Sequence, residues 1–238
     1  MASSNVFPAT LYGSNISYFS GKMENYFRLK GFDYALCGMK FPQDVKRIKE
    51  NTGVMQMPAL LLADGRWMTD TTRMIQWFED AFPDHPLVPL DPLQRFVCLL
   101  LEDYADEWLW RPAMWWRWVP MTSRRTLGWT IGGEIIEKRI ARAAGWGFAK
   151  RQMHEWLWGD GVNKNNEQQV RDMLFREFEF LEPLLEEQPY IMGSHPSVAD
   201  FGYFASMFRH FGNDPDSAEV MRMEAPNTYE WLARLWNA

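Results

Sequence analysis

The chain contains few of the residues that build disulfide frameworks or metal centres. It has two cysteines, Cys37 and Cys98, among 238 residues. They lack CxxC or metal-ligand spacing, so we expect neither a disulfide framework nor a metal site. This cysteine usage is typical of a reducing compartment, and we expect a cytoplasmic protein. The four histidines are scattered along the sequence: His85, His154, His195 and His210.

The chain also lacks an excess of positive charge and any long apolar run. A net charge of -6 argues against binding nucleic acid through its phosphates. No apolar run reaches the ~18 residues of a membrane helix, so we expect no membrane partner. The N-terminus has no basic start followed by an apolar stretch, so we expect no secretory signal. Aromatic residues are abundant, with thirteen tryptophans, and 47% hydrophobic residues suffice for a core.

The first part of the chain alternates between strand and helix patterns. Gly-bounded apolar runs and helical spacing predict strands at 9–12 and 32–37 and helices at 17–30 and 42–51. An apolar run opening on Pro58 and an Asp64-Gly65 turn predict a hairpin. The order β-α-β-α-β-β-α, ending in a helix at 72–82, predicts a small α/β unit.

The pattern changes after residue 82. Residues 82–92 contain four prolines and cannot form the interior of a helix. We therefore predict domains at 1–84 and 92–238, joined by a linker at 85–91. The second domain shows only helical patterns, so we expect it to be all-helical. Its predicted helices cover 93–110, 135–157, a stripe from Val170 to Leu185, 197–211 and 228–236. Apart from a tryptophan-rich run at 108–118, we assign no functional role to residues 111–165.

Several motifs occur in an order that resembles one family. They are Leu11-Tyr12-Gly13, Ser17, Lys22, Lys30-Gly31, Gln56-Met57-Pro58, Asp70-Thr71 and Gly193–Asp200. The chain resembles the soluble glutathione transferases of the serine or cysteine type. The resemblance implies a thioredoxin-like N-terminal domain followed by an all-helical domain. Two positions depart from the family: Tyr18 replaces a usual proline, and Thr71 replaces a usual serine.

The resemblance implies a catalytic role for Ser17. Glutathione is a thiol with a free pKa near ~8.5, and its thiolate is the nucleophile. A hydroxyl at the start of a helix can lower that pKa with its own hydrogen bond and the helix dipole. The hydroxyls of Tyr12, Ser14, Tyr18 and Ser20 remain alternatives, although Tyr12 is expected to pack as a strand residue. Simple helix capping by Ser17 or Ser20 remains an alternative as well.

The resemblance also implies how glutathione is held. The backbone of Met57, before a cis Pro58, would pair with the cysteinyl part. Asp70 would hold the γ-glutamyl ammonium, and Thr71 its carboxylate at a helix N-terminus. Gln56 would reach the glycyl end.

The tryptophan-rich run from 108 to 118 suggests an electrophile pocket. The alternative is that these aromatic residues form core or dimer contacts. In the pocket interpretation, Arg111 or Arg117 would bind an acidic group. The predicted pocket residues are Tyr18, Tyr104, Trp108, Arg111 and Trp115.

The predicted function is activation of the glutathione thiol for attack on an apolar or aromatic electrophile, by conjugation or by glutathione-dependent cleavage. Glutathione would be a co-substrate, and a second copy of the chain the expected partner in a homodimer. The alternative is a non-catalytic binding or scaffold protein with the same fold. Ser197 to Asp200 have the spacing of a helix capping box, which we expect to be structural.

Overall fold

The computed structural model describes residues 4–40, 42–135 and 141–238. The predicted order β-α-β-α-β-β-α is confirmed in the N-terminal domain. Its elements are β1 (Ala9–Gly13), α1 (Tyr18–Lys30), β2 (Tyr34–Gly38), α2 (Gln43–Thr52), β3 (Ala59–Leu61), β4 (Trp67–Thr69) and α3 (Thr71–Ala81).

The four strands form one mixed sheet in the order β2-β1-β3-β4. β1 runs parallel to β2 and antiparallel to β3, and β3 runs antiparallel to β4. Ala59 is paired with both Tyr12 and Thr69. The next residues beyond these pairs are Gly13, Pro58 and Asp70. The loop after β1, the start of β3 and the start of α3 therefore meet at one end of the sheet.

Local sequence signals account for these boundaries. Ser17 is the N-cap of α1, and Gly31 ends that helix at φ 65°, a left-handed conformation that glycine adopts readily. Asp70 is the N-cap of α3. The Met57-Pro58 peptide bond that precedes β3 is cis, as predicted.

The second domain is all-helical in the residues described, as predicted. Its helices are α4 (Pro92–Trp108), α5 (Trp110–Trp118), α6 (Met121–Ile135), α7 (Ala141–Met153), α8 (Glu167–Glu187), α9 (Val198–Ser206), α10 (Pro215–Glu224) and α11 (Pro226–Trp236). Two π-helical turns, His154–Trp158 and Met207–Phe211, follow α7 and α9. The proline-rich segment connects α3 to α4, and the domain limits at 84 and 92 stay predictions.

The structure corrects several predicted helix limits. The single helix expected at 93–110 is interrupted at Leu109, where α4 gives way to α5. The helices α6 and α10 were not predicted. Of the helix predicted at 135–157, residues 136–140 lie outside the described residues, and the rest forms α7 and a π-helical turn. No glycine or proline separates α4 from α5, so no helix stop signal marks this boundary.

Helix α9 lies in the core, with each of its residues buried. Its first turn is held by a group that we call the capping cluster: Asp200, Ser197, Ile191 and Trp231. The Asp200 carboxylate accepts hydrogen bonds from the backbone N–H of Ser197 and Ile191, from Ser197 Oγ and from Trp231 Nε1, at 2.9 to 3.1 Å. The expected structural capping by Ser197 and Asp200 is confirmed.

Helices α6 and α7 pack against each other at a pair of glycines. A Cβ atom added to Gly145 would lie 1.7 Å from the backbone oxygen of Gly128, so the two backbones touch directly. Among the residues that the structure describes, no helix is long and apolar enough to cross a membrane.

Candidate functional site

A cavity of about 640 Å³ opens at the end of the sheet where the loop after β1 meets the start of β3. One wall comes from the N-terminal domain and the other from α5, α6, α7 and the π-helical turns. The N-terminal domain contributes Gly13, Ser14, Ile16, Ser17, Tyr18, Phe19, Gly38, Met39, Val45, Met55, Gln56 and Met57. The helical domain contributes Trp110, Met114, Arg117, Ile131, Glu134, Phe148, Arg151, Gln152, Trp156 and His210.

Ser17 lies on this cavity at the first turn of α1 and is half-buried. Its Oγ accepts a long hydrogen bond of 3.4 Å from the backbone N–H of Ser20. A hydroxyl can also donate one hydrogen bond. In the described part of the chain, the Ser17 hydroxyl hydrogen has no acceptor, so it is available to a ligand.

The competing hydroxyls are engaged or enclosed. Ser14 Oγ donates to Glu134 Oε2 at 2.8 Å, and Tyr18 Oη donates to the Ala105 carbonyl at 2.6 Å. Burial foremost raises the pKa of Tyr18 well above its usual value, so this phenol stays protonated. Ser20 is fully buried. Tyr12, a further hydroxyl of this region, does not line the cavity and stacks on Trp67 with ring centroids 5.4 Å apart.

The residues expected to hold glutathione lie at the same end of the sheet. Gln56 and Met57 line the cavity, whereas Pro58 is buried beside them. Asp70 is exposed, and its Oδ1 accepts a 3.4 Å hydrogen bond from the Arg73 backbone N–H. Its backbone has φ 71°, a region that non-glycine residues rarely occupy and that is common at functional sites. Thr71 follows as the buried first residue of α3.

A buried ionic cluster connects α1, α3 and α4 behind this region. Lys22 Nζ lies 2.5 Å from Glu102 Oε1 and 2.5 Å from Asp106 Oδ2. Thr72 Oγ1 donates to Glu102 Oε1 at 2.7 Å. Burial raises the pKa of Asp106 to about 6, although the ammonium of Lys22 opposes this shift. The cluster fixes α3, and hence Asp70, relative to the helical domain.

Most of the predicted pocket residues lie elsewhere. Tyr18 lines the cavity, but the other four do not. Tyr104 Oη donates to Glu177 at 2.6 Å, and Trp115 Nε1 donates to Glu167 at 3.0 Å. Trp108 is 57% exposed at the end of α4. The tryptophan run therefore serves mostly as packing and surface.

The arginines proposed to bind an acidic group are also engaged. Arg111 donates to the backbone carbonyls of Asp160 and Glu107, at 3.4 and 3.2 Å. Arg117 lies on the cavity wall but is buried, and its guanidinium is bidentate to Asp214, at 2.7 and 2.8 Å. Two further N–H groups bond the carbonyls of Ile16 and Arg209, at 2.8 Å each. Arg117 therefore joins the domains instead of presenting a free cation.

The tryptophan run predicted to line a pocket contains Trp110, which does line the cavity, whereas Phe148 and Trp156 were not predicted. Trp110 lies at their centre, 6.1 Å from the Phe19 ring and 6.0 Å from the Trp156 ring. Phe148 of α7 and Ile131 of α6 complete the apolar lining. Ile131, Phe148 and Trp156 fall within residues 111–165, where no motif was recognised, so no motif identified them as cavity residues.

Two uncharged polar side chains interrupt this apolar wall. Gln152 Oε1 accepts a 3.0 Å hydrogen bond from Trp118 Nε1. Since indole N–H is only a donor, this bond fixes the orientation of the amide. His210, in the turn Met207–Phe211, was interpreted as a scattered histidine, yet it is buried on the cavity wall.

Two family models match the chain. The glutathione S-transferase N-terminal domain matches residues 11–86, and the glutathione S-transferase C-terminal domain matches residues 139–238. The chain belongs to the soluble glutathione S-transferase superfamily. The transferase domains thus cover both the end of the sheet that carries Ser17 and the helices that carry Phe148 and His210.

The names of similar proteins indicate more than one reaction. The chain is 21% identical to an isoprene-epoxide–glutathione S-transferase from Rhodococcus sp., over 93% of this chain and 92% of that protein. It is 26% identical to LigF of Sphingobium sp., over 82% and 76%. The structure of beta-etherase LigF has a TM-score of 0.62, with 19% identity over 95% and 94% of the two chains.

A solved structure that carries a ligand has the same fold. A glutathione S-transferase from Methylobacterium radiotolerans, in complex with glutathione sulfonate, has a TM-score of 0.61 and 17% identity, over 95% of this chain and 89% of that chain. At these identities, the solved structures establish the shared fold.

Proposed function

We propose that the protein is a glutathione transferase in which Ser17 activates the thiol for attack on an electrophile in the aromatic cavity. The observation that carries this proposal is the position of Ser17. It is the N-cap of α1, it lines the cavity, and its hydroxyl hydrogen has no acceptor in the described part of the chain. Its three neighbouring hydroxyls are engaged or enclosed.

The start of α1 favours a thiolate on electrostatic grounds. The first backbone N–H groups of a helix carry a partial positive charge, which stabilises an anion placed beside them. Ser17 Oγ–H adds a donor at the same point. Lowering a thiol pKa by about one to two units needs roughly 1.4 to 2.7 kcal/mol of stabilisation of the anion. One hydrogen bond to a charged group together with the helix terminus supplies an energy of this size.

The γ-glutamyl end of glutathione is proposed to bind at the start of α3. Asp70 is exposed and supplies a carboxylate for the γ-glutamyl ammonium, while the N-terminus of α3 at Thr71 receives the carboxylate. The backbone of Met57 pairs with the cysteinyl part, and Gln56 contacts the glycyl end. This arrangement agrees with the meeting of these residues at one end of the sheet.

The electrophile is proposed to lie against Trp110, Phe148 and Trp156. In an addition or displacement, the thiolate forms a carbon–sulfur bond while the electrophile loses a bond to a leaving group or opens a ring. Conjugation and ether cleavage are both represented among the similar proteins. The same cavity would serve either reaction. We therefore propose the class of electrophile, apolar or aromatic, for both.

The proposal is tested by titrating the ultraviolet absorbance of the bound thiolate against pH. In Ser17→Ala, we expect the thiol pKa to rise and turnover near pH 7 to fall about tenfold or more. Glutathione affinity should change little, because Met57, Asp70 and Thr71 hold the tripeptide. Ser197→Ala, at a buried cap away from the cavity, is the matched control.

Three outcomes of that titration lead away from the proposal. An unchanged curve in Ser17→Ala would assign the role to another hydroxyl. A wild-type protein that binds glutathione without thiolate absorbance or turnover would be the non-catalytic binding protein. A wild-type protein that does not bind glutathione would remove the basis of both.

We further propose a homodimer that uses α4. Three apolar residues at helical spacing, Leu93, Phe96 and Leu100, are 72%, 63% and 53% exposed. Such a stripe on one helix face is typical of a covered surface. Light scattering should give about twice the monomer mass of 28.1 kDa. Phe96→Asp should produce a monomer, while Met223→Asp on α10 should not. A wild-type monomer at micromolar concentration would contradict the dimer.

A further inference from the structure

The segment that leads from β1 to α1, residues 14–17, has a hydrogen bond on each of its four carbonyl groups. The Ser14 carbonyl accepts from the backbone N–H of Ser17 at 3.1 Å, and the Ser17 carbonyl accepts from Gly21 at 3.0 Å. The two carbonyls between them, of Asn15 and Ile16, accept from arginines of the helical domain. The segment that carries Ser17 is therefore held partly by the other domain.

Arg117 of α5 makes the contact next to Ser17. Its Nη1 donates to the Ile16 carbonyl at 2.8 Å, and the arginine is buried. The Ile16 carbonyl and the Ser17 N–H belong to one peptide unit, which is planar. Arg117 holds the carbonyl and the Ser14 carbonyl holds the N–H, so both polar groups of this unit are fixed. The position of the Ser17 Cα atom is therefore set from α5.

The guanidinium of Arg117 is itself held in one orientation. Its Nε and Nη2 donate to the two carboxylate oxygens of Asp214, at 2.7 and 2.8 Å. Asp214 is buried and precedes α10, yet its side chain does not cap that helix. A bidentate arginine–carboxylate pair fixes direction as well as charge. Because Asp214 orients the planar group, Nη1 is left pointing at the Ile16 carbonyl.

Two further contacts connect the same segment to the helical domain. The Ile16 side chain is buried in a hydrophobic cluster whose other described members all come from the helical domain. Arg209, in the turn Met207–Phe211, donates from Nη1 to the Asn15 carbonyl at 2.5 Å, and its Nη2 pairs with Glu24 of α1 at 2.7 Å. Arg117 Nη2 also bonds the Arg209 carbonyl, so the two arginines support each other.

We propose that Arg117 is a positioning residue for thiol activation: by holding the peptide unit before Ser17, it directs the Ser17 hydroxyl toward the sulfur of glutathione. A donor to a developing anion is effective only when its own position is fixed, which is the task of the residues that support it. This inference rests on the proposed function, because it adds a support for the same hydroxyl. It places that support in the helical domain, although Ser17 belongs to the N-terminal domain.

The test measures the pKa of the bound glutathione thiol in Arg117→Lys, from thiolate absorbance against pH. Lysine keeps the positive charge beside Asp214, but its single nitrogen cannot span the carboxylate and the Ile16 carbonyl as the arginine fork does. We expect the thiol pKa to rise by about half a unit, which lowers the thiolate fraction about threefold at pH values below that pKa.

Turnover provides a second readout that a purely structural role of Arg117 would not produce. The electrophile is phenacyl bromide, in which the thiolate sulfur bonds to the methylene carbon as bromide leaves. In Arg117→Lys, kcat near pH 7 should fall about threefold and approach the wild-type value as the pH rises, because the thiolate then forms without help. KM for glutathione should change little, since other residues hold the tripeptide.

A double variant separates positioning from a direct effect on the thiolate. If Arg117 acts through Ser17, then Ser17→Ala/Arg117→Lys should have the same thiol pKa as Ser17→Ala alone. Arg124→Met is the matched control. Arg124 also holds two backbone carbonyls, those of Trp118 and Val119 at the end of α5, and its loss should leave the thiol pKa unchanged. Melting temperatures show whether each variant folds.

Several results would overturn the role of Arg117. An unchanged thiol pKa in folded Arg117→Lys rejects it, and so does an equal shift in Arg124→Met. Additive shifts in the double variant reject it as well, because Arg117 would then act independently of Ser17. If Arg117→Lys does not fold, Asp214→Asn loosens the same guanidinium: an unchanged thiol pKa rejects the role, and a rise that disappears in the Ser17→Ala background supports it.

Ser17→Ala distinguishes this failure from failure of the proposed function. If Ser17→Ala leaves the thiol pKa unchanged, or if the wild type shows no thiolate, then thiol activation by Ser17 has failed and the role of Arg117 is rejected with it. If Ser17→Ala raises the thiol pKa and folded Arg117→Lys does not, only the role of Arg117 is rejected.

Discussion

The segment from Ser197 to Phe211 has different polar environments at its two ends. At its start, the Asp200 carboxylate receives four hydrogen bonds, and the capping cluster is buried in the core. At its other end, His210 Nδ1 has no partner in the described part of the chain. The cavity wall there also includes Ser17, whose hydroxyl hydrogen is available. Both regions contain a helix cap and a buried polar residue, so residue type alone does not distinguish them.

The difference lies in which molecule completes the hydrogen bonds. In the capping cluster, the protein supplies every donor that the carboxylate uses, and the result is a fixed helix start. On the cavity wall, the Ser17 hydroxyl hydrogen is left over beside a space that can hold a ligand.

The largest effect is expected for Asp200→Ala. This change leaves the N–H groups of Ile191, Ser197 and Trp231 without their acceptor and should lower the free energy of unfolding by about 3 to 5 kcal/mol. Urea denaturation measures it. Asp200→Asn keeps one acceptor oxygen and should lose less. A loss below about 1 kcal/mol for Asp200→Ala would mean that the capping cluster contributes little to the stability of the fold.

The second-largest effect is expected at the N-terminus of helix α3, which is open to a ligand. Asp70→Ala should weaken glutathione binding by roughly 1.5 to 3 kcal/mol, because a hydrogen bond between charged groups is lost. Calorimetric titration of the folded variant gives the affinity. Asp64→Ala is the control. It removes a carboxylate from the turn between β3 and β4, where Asp64 pairs with Arg66 at 2.7 Å, and should not change glutathione affinity. Unchanged affinity in Asp70→Ala would separate Asp70 from the binding site.

The smallest effect is a change in pH dependence in His210→Phe. The folded pKa of His210 lies well below its unfolded value near 6.5, because the ring is buried beside Tyr18 and Arg117. Below pH 6.5 the unfolded chain binds a proton that the folded protein does not, so this histidine lowers stability as pH falls. The variant should lose less stability than the wild type, by up to about 1.4 kcal/mol per pH unit.

The check is urea unfolding at several pH values between 7 and 5. His195→Phe provides the control, because this histidine is exposed on a loop. A wild type and a His210→Phe variant that lose stability in parallel would show that His210 is not held neutral, and the contrast with the capping cluster would be weaker.

Much of the N-terminal domain could be predicted from local signals. Gly31 ends α1, and Gly65 lies in the turn between β3 and β4. Pro58 directly precedes β3, and Asp70 directly precedes α3. These signals act over a few residues, so they are visible in one sequence. The position of Ser17 at the start of α1 followed from the same kind of evidence.

The cavity wall could not be predicted because it depends on how distant helices pack. The segment from Trp110 to Ile135 is rich in tryptophan and glycine, which obscure helical spacing. Pro112 lies in the first turn of α5, where proline is tolerated, although in sequence it suggests a break. His210 gave a weak signal that was missed: together with Arg209 it follows a mostly apolar helical run that begins at Phe201.

The contact between Gly128 and Gly145 has a consequence for any attempt to reshape the cavity. Since backbone touches backbone there, any side chain at position 145 would push α6 and α7 apart and change the spacing of the cavity's outer wall. Variation at this pair would therefore act on the whole wall at once. A library that seeks new electrophiles should leave both glycines untouched and vary Ile131 and Phe148, which line the cavity from the same two helices.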